Sequence, residues 1–487
     1  MLTRRVILLA AAALVALGIG AARAAHHGPN EAGDSRPNVV VIETDDQTLE
    51  EMRVLKKTQA LLGHQGVTFD NSFVSLSLCC PSRATFLTGQ YAHNHGVISN
   101  DAPLGGYQKL DHTRTLPVWL HKAGYRTSFV GKYLNGYRRK QNEIPPGWDD
   151  WHAAISLSYF AYKMNDNGRV NWYGSRPVDY QTDVFTLKAR TEIRDLAGRR
   201  PFFLWVSYFA PHVGGPHEYD DPPGFGTTHP APKYQNAFTD EHLPTPPSFN
   251  EVDVSDKPVA IQSRASLTQD RIAAMREAYQ QELEALLSVD DGVEKIVEEL
   301  RLDGELDNTV IIFTNDNGYF HGEHRIPSGK VLPYEQSIRV PLLIRGPGVP
   351  DGIHLKQLAS NVDLAPTILD FAHGKPVGRV LDGRSLRPLF RDPTSAWDDA
   401  VLLERLPGTA APGAAGDQPF AGVRTRRYLY AEYDNGEREL YDLALDPDEL
   451  HSVQDDPARA GIVAQLSGML SELRLCRGDG CRSAVAP

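Results

Sequence analysis

The sequence predicts an α/β fold: a large, mostly parallel central sheet flanked by helices, with a smaller C-terminal α+β subdomain. Short apolar β-rich runs alternate with helically spaced ones, as parallel strands joined by helical crossovers require. Four of the apolar runs end abruptly in Asp, Lys, His or Asn. Near the C-terminus the alternation gives way to two strands around a tight turn.

The elements follow in order. "NVVVIE" at 38–43 reads as a buried strand. "TLPVWLHKAG" at 115–124 reads as a helix stopped by Gly124, with the strand "RTSFVG" at 126–131 behind it. "PFFLWVSYF" at 201–209 is a further buried strand. From 267 to 301, Ile272, Met275, Tyr279, Leu283, Leu286, Val293, Ile296 and Leu300 largely keep helical spacing, which predicts one long helix or two consecutive ones. "NTVIIFTNDNG" at 308–318 is a strand running into polar residues, and "VDLAPTILDFAHG" at 362–374 a helix stopped by Gly374. Residues 213–260 and 407–419 are rich in loop-forming residues. "RTRRYLYAEYDNGERELYDL" then predicts a hairpin about Asn435-Gly436. This organisation places the main α/β domain at 37–375 and the C-terminal subdomain at 376–487.

Residues 1–24 have the layout of an export signal: Arg4 and Arg5, an apolar stretch at 6–19, and the small-residue site Ala22-Arg23-Ala24. No later segment reaches 18 unbroken apolar residues. The expectation is an exported protein, secreted or held in the cell envelope or periplasm, without stable membrane association. A net charge of −12 argues against nucleic acid as a partner. Four cysteines do not make a disulfide framework, but Cys476 and Cys481 in "CRGDGC" can close a small loop.

Chemistry collects where the strands end. In open parallel sheets, ligands bind beyond the carboxyl ends of the strands. The four runs lead to Asp45 and Asp46, to Lys132, to His212, and to Asp316 and Asn317. Singly, each is explained by a turn or a helix cap. Together, Asp45, Asp46, Asp316 and Asn317 offer hard oxygen ligands without thiolate or imidazole, a set suited to Ca²⁺, or Mg²⁺, before Zn²⁺.

"LCCPSRATFLTG" at 78–89 holds the other two cysteines side by side. Three readings compete: a vicinal disulfide, two packed core thiols, or one cysteine with a chemical task. Pro81 suits the first turn of a helix, which puts Cys79 and Cys80 at its N-terminal entry. Backbone N–H groups and Arg83 there favour an anion, and a cysteine so placed is expected to be activated.

The run Cys79-x-Pro81-Ser82-Arg83 followed by Leu87-Thr88-Gly89 resembles the signature of the type I sulfatases of the alkaline phosphatase superfamily. The resemblance extends from "PNVVVIETDDQ" through "RVPLLIRGPGV" to "ELYDLALDPDE", nearly the whole chain after the signal. "GKYLNGY", "IPPGWDDW" and "LLSVDDGVEKIVEEL" look most like the N-acetylglucosamine-6-sulfatase subgroup and its extracellular endosulfatase relatives, without the long basic insertion of the latter.

That resemblance implies that Cys79 is converted to formylglycine by a formylglycine-generating enzyme, while Cys80 fills the variable position. It implies a Ca²⁺ ion held by Asp45, Asp46, Asp316, Asn317 and an oxygen of the modified Cys79. Arg83 would steady the hydrated aldehyde, and Lys132, His212 and Lys330 would bind sulfate or assist the leaving group. One hydrate oxygen would attack sulfur, and the other would later lose its proton and expel sulfate. Most sulfatases carry Lys-x-His where this chain has Lys132-Tyr133-Leu134. The subgroup shares this departure, with Asn135 following as a substrate-binding candidate. The base that ends the cycle is then open, with His93 and His95 as candidates.

The implied activity is hydrolysis of sulfate esters, with exo-removal of 6-O-sulfate from glucosamine-type sugars as the expected reaction and a sulfated sugar or other small sulfate ester as partner. Two rivals stand beside it: a phosphate or phosphonate ester hydrolase on the same fold, and a non-catalytic binder of sulfated glycans in which Cys79 stays a thiol.

Overall fold

The computed structural model describes residues 34–199, 201–398, 400–409 and 418–485. The expected signal at 1–24 and most of the 407–419 loop lie outside them. Fourteen strands are described: β1 (Asn38–Asp45), β2 (Val67–Phe73), β3 (Arg126–Gly131), β4 (Asp150–Ala154), β5 (Tyr162–Asp166), β6 (Arg169–Tyr173), β7 (Phe202–Pro211), β8 (Thr309–Asn315), β9 (Leu342–Arg345), β10 (Ile353–Ser360), β11 (Ala400–Arg405), β12 (Phe420–Thr425), β13 (Tyr428–Tyr433) and β14 (Arg438–Asp442). The first ten form one sheet in the order β10-β2-β9-β8-β1-β7-β3-β4-β5-β6. Its centre, β8-β1-β7-β3-β4, is parallel throughout, and antiparallel pairings enter towards both edges.

The central strands read as unbroken apolar runs because both faces are covered. Along β1, Val39 and Val41 enter one core while Val40 and Ile42 enter the other. Along β7, Phe203 and Trp205 join the first core, and Phe202, Leu204 and Val206 the second. Seven helices bear on the argument: α1 (Cys79–Thr88), α2 (Leu116–Lys122), α3 (Gln181–Leu196), α4 (Gln269–Leu302), α5 (Leu364–Phe371), α6 (Arg387–Arg391) and α7 (Ala460–Leu473). Phe86, Leu87, Trp119 and Ile368 bring α1, α2 and α5 onto the first face. Phe185, Ile193, Leu286, Val293 and Ile296 bring α3 and α4 onto the second.

The long apolar pattern is a single helix of 34 residues, α4. Gly292 is accommodated within it where the Tyr208 hydroxyl would sit 2.4 Å from any Cβ. Residues 213–258 carry no helix or strand, as their composition predicts. No helix among the described residues is long and apolar enough to cross a membrane.

Strands β11–β14 form an antiparallel sheet. Its last hairpin turns at Asn435-Gly436, where Gly436 takes φ +90°. Helix α7 packs on this sheet through Leu466, Leu470 and Leu473, and Cys476 and Cys481 are disulfide-bonded beyond it. Leu386, Leu389 and Phe390 in and beside α6, with Trp397, enter the core of the large sheet, so that core continues past residue 375. The small sheet also reaches towards the strand ends. Val401, Leu403 and Leu429 share a core with Phe320, Ile326, Leu332 and Tyr334 of the loop that follows β8.

Candidate active site

The central parallel strands deliver their polar ends to one place. β1 ends at Asp45, and Asp46 follows in the left-handed region at φ +67°, a conformation few non-glycine residues adopt. β8 lies beside β1, with Thr44 opposite Asn315, so Asp316 and Asn317 emerge next to Asp45 and Asp46. β3 ends in Gly131, whose φ of +125° and lack of a Cβ let it lie against the Ser207 carbonyl of β7. That approach lets the Lys132 N–H donate to the same carbonyl at 2.9 Å and sets the lysine at the strand end. β7 continues to Pro211 and His212.

Helix α1 begins at Cys79, and the Ser82 N–H closes its first turn on the Leu78 carbonyl at 2.9 Å. The Cys79 Sγ is 3.7 Å from Asp45 Oδ1 and 3.1 Å from the Lys330 Nζ. Lys330 also pairs with Asp46, and Lys132 with Asp45. His212 Nε2 lies 3.6 Å from Asp46 Oδ2 and 3.9 Å from Asp45 Oδ1. Its Nδ1 donates to the Val213 carbonyl at 2.7 Å, which fixes the tautomer and leaves Nε2 facing the cluster.

Arg83 is wholly buried and acts as a hub. Nε donates to Asp316 at 2.8 Å, Nη2 to Asp45 at 2.9 Å, and Nη1 to the Lys132 carbonyl at 2.8 Å, with Glu43 3.1 Å away. Ser207 Oγ also accepts from Nη1. The guanidinium thus braces these three carboxylates.

Electrostatics follow from burial and these contacts. Burial would raise Asp45, but Lys132, His212 and Arg83 hold its carboxyl well below the usual range. Burial pushes Asp316 up, reinforced by neighbouring Asp45, and burial also pushes up Glu43 against the pull of Arg83. Burial lowers His212. The expectation of an activated Cys79 thiol is corrected here. Burial drives the unmodified thiol up to about 12, despite Lys132 and Lys330 nearby. Cys79 is buried and Asp45 lies beside it, and both disfavour the thiolate.

Both adjacent cysteines are free thiols, which removes the vicinal disulfide. Cys80 turns into the core of the first face, and its N–H donates to Asn100 Oδ1 at 2.9 Å. His93 and His95 are held elsewhere. His93 bonds Glu404 at 2.8 Å and the Cys476 carbonyl at 3.0 Å, and His95 contacts Thr85 Oγ1 at 3.1 Å. Asn135 lines, with Lys132, Tyr137, Arg138 and Ser156, a cavity of about 420 Å³. Its Oδ1 is buried without a hydrogen-bond partner.

The donor set fits a hard divalent cation. Asp45, Asp46 and Asp316 crowd together, and the Asn317 Oδ1 is buried without a partner while its Nδ2 donates to Asp46 at 2.7 Å. Ligand atoms of Asp45, Asp46, Cys79 and His212 lie within 4.8 Å of one another. An unsatisfied acceptor among converging carboxylates is what a cation completes.

A sequence model of the sulfatase family matches residues 37–374, and one described as the C-terminal part of N-sulphoglucosamine sulphohydrolase matches 322–475. This chain belongs to the sulfatase family. Among relatives of this sulfatase, the human N-acetylglucosamine-6-sulfatase is 36% identical, covering 93% of this chain and 87% of the relative. An arylsulfatase of Volvox carteri is 35% identical over 96% of this chain and 78% of its own length. A solved structure in complex with its substrate D-glucosamine-2-N,6-O-disulfate has TM-score 0.77 at 24% identity, covering 92% of this chain and 98% of that one, and supports the fold.

Two residues of the sulfatase's site escaped the sequence reading, Glu43 and Ser207. Glu43 follows four apolar residues in β1 and Ser207 follows five in β7, both strands being fully buried, and that mismatch is the signal that could have found them.

Proposed function

We propose that this sulfatase removes 6-O-sulfate from terminal glucosamine-type sugars, using formylglycine made from Cys79 and a Ca²⁺ ion held by Asp45, Asp46, Asp316 and Asn317. The observation that carries the reading is that Lys330 meets Cys79 while Lys132 and His212 meet Asp45 and Asp46 beside it, next to a cavity lined by Lys132 and Asn135. Formylglycine, as its hydrate, supplies the oxygen nucleophile for sulfur, and Ca²⁺ supplies positive charge for the sulfate oxygens.

The chain's own groups do the rest. Lys132 and Lys330 are buried ammonium groups at the Cys79 end of the cleft, placed to bind sulfate oxygens. His212 Nε2 is its one ring position free to exchange a proton with the leaving sugar oxygen, because Val213 occupies Nδ1. Arg83 keeps Asp45 and Asp316 in place as a positioning residue. Asn135 lines the adjoining cavity, where its side chain would contact the sugar. Maturation would need a formylglycine-generating enzyme, and residues 1–24 would direct export.

The substrate reading is tested by assaying purified enzyme on N-acetylglucosamine-6-sulfate, other sulfated monosaccharides, an aryl sulfate, a phosphonate ester and intact heparan sulfate. A preference for the 6-sulfated glucosamine is expected. Turnover of aryl sulfate alone would overturn the substrate and keep the sulfatase, and the 35%-identical arylsulfatase makes that arm necessary.

A further inference from the structure

We propose that Glu51, Glu282 and His321 form a second metal site, separate from the Asp45 cluster, that takes a borderline divalent ion such as Zn²⁺. One ligand atom from each residue lies within 4.8 Å of the other two. The three come from distant parts of the chain: the turn at Glu50–Val54 after β1, the middle of α4, and the loop after β8. Their exposures are 0%, 5% and 6%, so water does little to solvate their charge.

His321 Nε2 is 2.7 Å from Glu282 Oε2. Glu51 Oε2 accepts from the Thr48 N–H at 2.6 Å, whereas Oε1 is buried with no hydrogen-bond partner. A carboxylate oxygen left unsatisfied in a protein interior is costly, and here it sits with a second carboxylate and an imidazole. A cation satisfies all three. With both acids ionised and the imidazole charged, one negative charge would still be buried. With both acids ionised and the imidazole neutral, a divalent ion would make the site electrically neutral.

One imidazole with two carboxylates is a Zn²⁺-type set with a fourth position for water. Its place in the fold suggests its effect. Glu51 is five residues past Asp46 and His321 four past Asn317. An ion there would clamp the two loops leaving β1 and β8 to α4, behind the reaction centre.

The test uses the full-length protein with Asp45→Asn and Asp46→Asn, which removes two carboxylates of the first cluster. Zn²⁺ alone is titrated by calorimetry, and Tm is followed alongside. We expect one ion per chain, a higher Tm, and a zinc X-ray absorption spectrum with one imidazole nitrogen among oxygens. Adding Glu51→Gln or His321→Ala should weaken binding at least 100-fold. No bound Zn²⁺ in the double variant, unchanged binding in both triple variants, or an all-oxygen shell would overturn the site. If those triple variants do not fold, Glu282→Gln in the same background takes their place, with the same loss expected. If the double variant does not fold, Ca²⁺-saturated wild type is titrated with the same criteria.

Discussion

The Lys330 ammonium lies 3.1 Å from the sulfur of Cys79, although the two residues are 251 positions apart. The loop that carries Lys330 is held in place by the C-terminal sheet, through the core that Phe320, Leu332 and Tyr334 share with Leu403 and Leu429. The small sheet therefore contributes to the reaction centre without supplying a residue to it. Lys330→Met should lower kcat by about 10²–10³-fold, the usual loss when one charge-stabilising group is removed. Far-UV circular dichroism should stay unchanged. Wild-type kcat in the variant would remove Lys330 from the mechanism.

Arg83 binds three carboxylates with no solvent to share the load. Breaking a buried pair by deleting one partner typically costs ~3–5 kcal/mol, because the remaining charges stay buried. Arg83→Ala should lose stability on that scale in urea unfolding and lose Ca²⁺ binding by calorimetry. Arg83→Lys keeps the charge without the fork and should fall between the two. An Arg83→Ala protein as stable as wild type would contradict the hub.

Asn135 should act on binding rather than on chemistry. It lines the cavity beside Lys132, and its removal is expected to cost one substrate hydrogen bond. A bond worth ~1 kcal/mol predicts that Asn135→Ala raises KM about 5–10-fold with kcat nearly unchanged. Equal losses in kcat and kcat/KM would instead place it in the transition state.

Stability should depend on pH through His93. Burial opposes its charge, but the 2.8 Å contact with Glu404 prevails and raises its pKa above the ordinary value. A raised folded-state pKa gives stability that is complete below the unfolded value, roughly 6.5, and is lost as pH rises through the folded one. Chemical denaturation across pH 6 to 9 should therefore show a decline that is smaller in His93→Gln. An identical decline in both proteins would exclude this pair as its source.

How much of this was legible in the sequence depended on physical signal. Strands buried on both faces announce themselves as apolar runs, so β1, β3, β7 and β8 and the residues at their ends could be read directly. The antiparallel edge was not read. β5 and β6 contain "YKMND" and "RVNWY", with exposed and polar positions that make no clean run. Pairing distant in sequence is also invisible to local pattern, so "HNH" looked chemical although Glu404 and the Cys476 carbonyl claim His93. The helix start at Cys79 followed from Pro81, but the burial that raises its thiol needed the packed structure.

Peptide mass spectrometry of residue 79 in active enzyme tests the central claim most directly. A thiol pushed up to about 12 is a poor nucleophile near neutral pH, so the unmodified chain should be inert. The account predicts an aldehyde in place of the Cys79 thiol, an unaltered Cys80, and specific activity proportional to the aldehyde fraction. Full sulfate-ester hydrolysis by protein whose Cys79 is entirely thiol would contradict it.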